Sequence, residues 1–100
     1  MRSAKLPHPE ALAQASLEAQ IALVAAVATA HYNVQADDEL LALTRRTLAS
    51  REDSLKLVRL KFDNGAAAAP ELRQTESLLE SARVAFAQQT RQRALDENAL

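Results

Sequence analysis

One glycine, Gly65, stands in a chain of 100 residues, and three prolines accompany it. A typical soluble domain has about 7% glycine and 5% proline. These two residues supply the backbone conformations that reverse a chain. A sequence this poor in both has little material for turns, so long uninterrupted helices are the expected outcome. The remaining composition agrees, because it is dominated by Ala, Leu, Glu, Arg and Gln, all good helix formers. The fold class expected is all-α: a long antiparallel helical hairpin, coiled-coil-like, that self-associates as an isolated fragment.

The same counts exclude several classes of chemistry. The absence of cysteine excludes a disulfide scaffold and a thiolate zinc site. One glycine is too few for a Walker loop or a dinucleotide fingerprint. Twelve basic and thirteen acidic residues give a net charge of -1 and no global pull toward nucleic acid or acidic membrane surfaces. No run of 18 or more apolar residues is present, so no bilayer-spanning helix is expected. The start, Met1-Arg2-Ser3-Ala4-Lys5, is not followed by the apolar region of a signal peptide. Aromatics make up only 3% of the chain. A core built from leucine and alanine buries little area per side chain, at about 25 cal/mol per Å², and a domain this small is marginal alone.

Punctuation is concentrated at Asp63-Asn64-Gly65 and at Pro70. Asn and Gly tolerate the left-handed conformation that ends helices. Proline suits the first turn of a new one, and Glu71 follows it as an acid near a helix N-terminus. Because a residue before proline avoids the helical region, Asn64 to Ala69 reads as a tight tip, extended at its end. A weaker break falls at Leu6-Pro7-His8-Pro9. The organisation expected is an irregular lead-in over 1–9, a helix over 10–62, a tip over 63–69 and a helix over 70–100.

Helices of about 80 and 45 Å need a partner seam. A 3-4 spacing supplies one: Leu23, Val27, Ala30, Val34, Asp37, Leu41, Thr44, Leu48, Arg51, Leu55, Val58 and Phe62. The matching track in the second helix is Leu72, Thr75, Leu79, Ala82 and Phe86, then Gln89 and Arg93, so the seam is apolar near the tip and fades away from it. Glu52 with Lys56, Arg59 with Asp63 and Arg93 with Glu97 have the spacing of surface ion pairs along a helix, each of roughly 0.2–0.5 kcal/mol. The first helix outruns the second, which leaves the Ala/Leu/Ile/Val-rich segment from Ala11 to Ala30 without an intrachain partner. Ile21, Leu23, Val24 and Val27 are therefore the self-association candidates. The alternative is that the long helix breaks near His31–Asn33 and folds back into a three-helix bundle.

Catalytic chemistry finds no support. His8 and His31 lack a metal-ligand spacing, and are read as a flexible terminal residue and a helix-surface residue. Asp37-Asp38-Glu39 reads as a solvated face, since consecutive helical residues diverge and a calcium site needs converging oxygens. Ser50, Ser54 and Ser77 have no histidine suitably placed. Arg45, Arg46 and Arg51 form a basic patch, but Glu39, Glu52 and Asp53 flank it and no aromatics interleave for single-stranded nucleic acid. Tyr32 is read as a packing anchor. No catalytic residue, cofactor or metal is expected, and the chain is not expected to be an enzyme. The tip is different, because loops held on rigid scaffolds often carry contacts.

The residues around that tip carry a resemblance. The stretch from Leu48 to Ala67, followed by Glu71-Leu72-Arg73-Gln74-Thr75-Glu76, resembles the outer-membrane efflux proteins, the TolC-like channels, and among them the OprM/NodT-type lipoprotein branch. Their hairpin pattern is an Arg, a Phe or Tyr, a Gly, an acidic residue, a hydrophobic residue and a Gln/Ala-rich helix start. It reads here as Arg59, Phe62, Gly65, Glu71, Leu72 and Gln74. Val24 to Tyr32 is similar to the segment that leads into that hairpin, and Arg91 to Leu100 to the segment that leads toward the membrane barrel. The resemblance covers residues 11 to 100 and is better to the first of the family's two repeats.

The resemblance implies a homotrimer with a shared outer-membrane β-barrel and a periplasmic α-barrel. It also implies an exit tunnel fed by an inner-membrane pump and a periplasmic adaptor (membrane fusion) protein. By matching position, Arg59, Asp63, Asn64, Gly65, Ala66 and Ala67 would form the adaptor-contacting tip, with Glu71 as a gate candidate. The sequence departs from the pattern at Pro70 and the four preceding alanines, and has Glu71 where the family often has Asp. With no β-strand or lipid-anchor cysteine expected, the chain reads as an excised periplasmic hairpin beginning at an added Met1. The function expected is the periplasmic segment of an outer-membrane efflux channel of a tripartite export system. The readings held beside it are a free-standing coiled-coil interaction module and, more weakly, an RNA-binding hairpin. No nucleic-acid partner is expected.

Overall fold

A computed structural model describes residues 8–100. They form two helices, α1 over Pro9–Asp63 and α2 over Ala69–Asn98, packed antiparallel as a hairpin with no strand among the described residues. The expected lead-in up to residue 7 lies outside the described residues. At 1.5 Å per residue α1 is about 80 Å long and α2 about 45 Å. α1 runs through His31–Asn33 without a break, which rules out the three-helix alternative.

The start of α1 corrects the reading of His8. His8 is extended (φ -61°, ψ 139°), its Nδ1 accepts from the Glu10 main-chain N–H at 3.4 Å, and its carbonyl accepts from Leu12 N–H at 3.1 Å. It is an N-cap, followed by Pro9 at the first helical position, where a missing N–H costs nothing.

The expected seam is largely the packed one, although Phe62, its last position before the tip, is 39% exposed. Leu55 and Val58 of α1 are buried against α2, and Thr75, Leu79 and Ala82 of α2 against α1. Ala30, Val34, Leu41, Thr44, Leu48 and Arg51 are half-buried, and so are Leu72, Phe86, Gln89 and Arg93. The polar members are held in their own helices. Thr44 Oγ1 donates to the Leu41 carbonyl at 3.0 Å and Thr75 Oγ1 to the Glu71 carbonyl at 2.9 Å, so neither hydroxyl is left unsatisfied. Toward the base the apolar seam fades as expected, and polar contacts through Asp37, Gln89 and Arg93 take its place. Asp37 is only 7% exposed. The solvated-face reading of Asp37-Asp38-Glu39 is therefore wrong for Asp37, whose helical phase matches the seam, while Asp38 and Glu39 are exposed.

α2 ends before it can cover the start of α1. Asp96 and Ala99 lie level with Ala30 and Asn33, and the α1 turns beyond are bare. Leu23 is 65% exposed and Val27 48%, so the two outermost seam positions have no partner. Tyr32 is 68% exposed and is not a packing anchor, because it stands off the seam. α1 also corrects the membrane reading. An 18-residue window of it is long and apolar enough to cross a bilayer by length and composition, with none of it buried in the hairpin. Alanines raise its hydropathy without forming one unbroken run of large apolar residues.

Candidate functional site

The two helices are joined by five residues, and local backbone chemistry closes both ends. Asn64 (φ -101°, ψ 11°) is the C-cap of α1, and its Nδ2 donates back to the Leu60 carbonyl at 2.7 Å. Gly65 follows with φ 75°, the one positive φ among the described residues. With Gly65 left-handed, Ala66 N–H reaches the Lys61 carbonyl at 2.7 Å and Gly65 N–H the Phe62 carbonyl at 3.1 Å. This reciprocal pair is the Schellman arrangement, which satisfies carbonyls that the end of a helix would leave free. A side chain added at Gly65 would meet nothing within 4 Å. Glycine is thus required by backbone conformation and not by crowding.

α2 starts without a side-chain cap. Ala68 is extended (φ -84°, ψ 155°), and its carbonyl accepts from Glu71 N–H at 3.1 Å and Leu72 N–H at 3.3 Å. The extended residue is Ala68 and not Ala69, which already opens the helix; Pro70 then occupies the second helical position. The turn therefore brings Asn64, Gly65 and Ala66 together at the far end of the rod, all exposed. Asp63 closes α1 beside them, and Ala67 is half-buried. Glu71 is exposed in the first turn of α2, with its carbonyl engaged by Thr75. Arg59 sits a turn below the tip. Its guanidinium lies 3.9 Å from Glu76 on α2 and makes no ion pair with Asp63. The Glu52–Lys56 pairing is likewise not formed, whereas Arg93 does pair with Glu97, at 2.7 Å.

Sequence spacing missed the contacts between helices. Arg45, read as part of a basic patch, lies 5.7 Å above the Phe86 ring, a cation–π approach that covers the ring edge of the seam. Arg93 also ion-pairs with Asp38 across the seam. Gln89 Nε2 donates to both the Asp37 carbonyl (3.3 Å) and Asp37 Oδ1 (3.2 Å). The Asp96 carboxyl stands beside that of Asp37 and accepts from Gln92 Nε2 at 3.1 Å. The hydrogen bond with Asp96, followed by burial, holds the Asp37 carboxyl above the usual carboxylate range, against the opposing pull of Gln89. Asp96 is held below that range, first by the Asp37 contact and then by Gln92. The signal that could have found this group was the 3-4 phase itself, which put Asp37, Gln89 and Arg93 on facing tracks.

These features define a class: a long helical hairpin with a capped, solvent-projecting tip and a polar clasp at its base. The family model described as "Outer membrane efflux protein" matches residues 4–100, and the chain belongs to that family. It is 43% identical over its whole length to the toluene efflux pump outer membrane protein TtgF of Pseudomonas putida, of which it covers 21%. The identity is the same to the probable efflux pump outer membrane protein SepC of P. putida, also covered to 21%. To the outer membrane protein OprJ of Pseudomonas aeruginosa it is 39% identical over 87 residues, which is 87% of this chain and 18% of OprJ. The chain thus spans about a fifth of the length of these curated relatives. TtgF and SepC are both named as efflux pump outer membrane proteins.

Proposed function

We propose that this chain is a component of an outer-membrane efflux channel. In finer terms it is a periplasmic α-barrel hairpin that lines part of the exit tunnel and docks a periplasmic adaptor through its tip. The observation that carries the finer reading is the tip. A five-residue turn leaves its own backbone carbonyls satisfied, projects Asn64, Gly65 and Ala66 from the end of a long rigid pair of helices, and leaves open space around Gly65. Such a surface offers a partner shallow, small-residue contact with little side-chain entropy to lose. Family membership and the names of the relatives support export as the activity.

Under this reading Arg59, Asp63, Asn64, Gly65, Ala66 and Ala67 are the adaptor-contacting residues. Glu71, exposed one turn into α2, is the gate candidate. The full-length protein is a homotrimer that works with an inner-membrane pump, and the present chain lies on the periplasmic side of the outer membrane. No catalytic step is involved: small shifts between packed helices open or close a constriction. The isolated chain associates with itself through the uncovered face at Ile21, Leu23, Val24 and Val27.

The test is export by the full-length protein carrying Gly65→Leu. Reduced ethidium efflux with unchanged protein level in the outer membrane is the expected result. Unchanged efflux overturns tip docking. A bare coiled-coil interaction module is the competing reading, and the uncovered apolar face of α1 favours it to the extent that it favours association. It would be supported by efflux unaffected by deletion of the full-length gene.

A further inference from the structure

Asp37 is more than nine-tenths buried. Its Oδ1 accepts from Gln89, while its Oδ2 is buried with no donor from any other residue. From α2 Gln89 and Asp96 face it; from α1 its neighbour is Asp38, which pairs with Arg93. Arg93 is the one cation in this set, and it is spent on Asp38 and Glu97. Asp37 therefore meets a second carboxyl with no positive charge between them. Two carboxylates in contact in a partly buried site cannot both be ionised. One proton held on Asp37 removes the conflict and gives the orphan Oδ2 a donor role toward Asp96.

We propose that Asp37 and Asp96 form a proton-binding site, one proton shared between the two carboxyls, which fastens the base of the hairpin when occupied and loosens it when the proton leaves to solvent.

Asp37 and Asp96 shift in opposite senses, as a shared proton requires. The linkage has a definite sign. The Asp37 carboxyl is raised in the folded state, so its contribution is full below the ordinary carboxylate range and is lost as pH rises through the raised value. Asp96 is lowered, so its contribution is present above the ordinary range and lost as pH falls through its lowered value. The pair's contribution is thus greatest when it is singly protonated, and it declines as pH rises through the raised Asp37 value.

The test is a carboxyl-carbon NMR titration of the 100-residue chain from about pH 2 to pH 8, joined to thermal unfolding of Asp37→Asn. A wild-type Asp37 that binds its proton above, and an Asp96 below, the ordinary Asp value of about 3.9 is the expected pattern. Asparagine mimics the protonated acid. Asp37→Asn should therefore raise the thermal midpoint at about pH 7.5 and flatten its fall as pH rises through the Asp37 value. It should also return Asp96 toward ordinary behaviour. Ordinary titration of both carboxyls overturns the proposal. So does a lower midpoint for Asp37→Asn at neutral pH, which would show that the ionised form is the one the fold needs.

Discussion

Gln89 and Asp37, 52 residues apart, are joined by one side-chain nitrogen that donates to both the main-chain oxygen (3.3 Å) and the carboxyl Oδ1 (3.2 Å) of the aspartate. The contact locks the register at the base of the hairpin, where apolar seam residues give out. Gln89→Leu keeps the volume and removes the donor. It strands a buried acceptor, and the expected result is a thermal midpoint lower by a few degrees, read by circular dichroism at 222 nm.

Leu79 is the most buried side chain in the described seam, at 3% exposure. Leu79→Ala should cost about 2–3 kcal/mol, the low end of the range for leucine truncation, because a two-helix interface can close partly over the gap. Urea titration with an unchanged slope checks it.

Gly65 needs its left-handed backbone but not its lack of a side chain for space. Gly65→Ala should therefore cost only about 1–2 kcal/mol, the penalty for an L-residue in that conformation. Gly65→Asn should cost less, since Asn visits the region more readily. Denaturant unfolding of both variants separates this from a steric account, which would rank Asn below Ala.

Arg59 and Glu76 stand 3.9 Å apart with side chains 61% and 45% exposed. A double-mutant cycle with Arg59→Ala and Glu76→Ala should give a coupling under about 1 kcal/mol, vanishing in molar salt.

Ile21 and Val24 are each 68% exposed on the part of α1 that α2 does not reach. Replacing both with glutamine should lower the mass of the isolated chain in sedimentation by removing the association face. A wild-type chain that sediments as a monomer at high concentration rejects that association.

The seam was readable in the sequence because helical period is a property of each helix alone. Leu55, Val58, Leu79 and Ala82 are buried where the 3-4 spacing put them. What spacing cannot supply is the register between helices, which is fixed by the geometry of a tip five residues long. Arg59 thus finds Glu76 and not Asp63, and Arg45 finds Phe86. Asp37 carried two readings at once, as a seam position and as part of an acidic surface run, and packing decides for the first. Tyr32 failed as an anchor because being large and aromatic does not put a residue on the buried stripe. The tip was legible to the residue at Asn64-Gly65, where a backbone requirement leaves few choices of side chain.

The unequal arms make the molecule a lever. With α1 about 80 Å long and clasped to α2 over its tip-side portion alone, rotation about its free end is magnified along its length. A tilt of about one degree there carries the tip about 1.4 Å, close to the rise of one helical residue. Displacements too small to disturb any single contact at the base are thus large enough at Gly65 to change what the turn can touch.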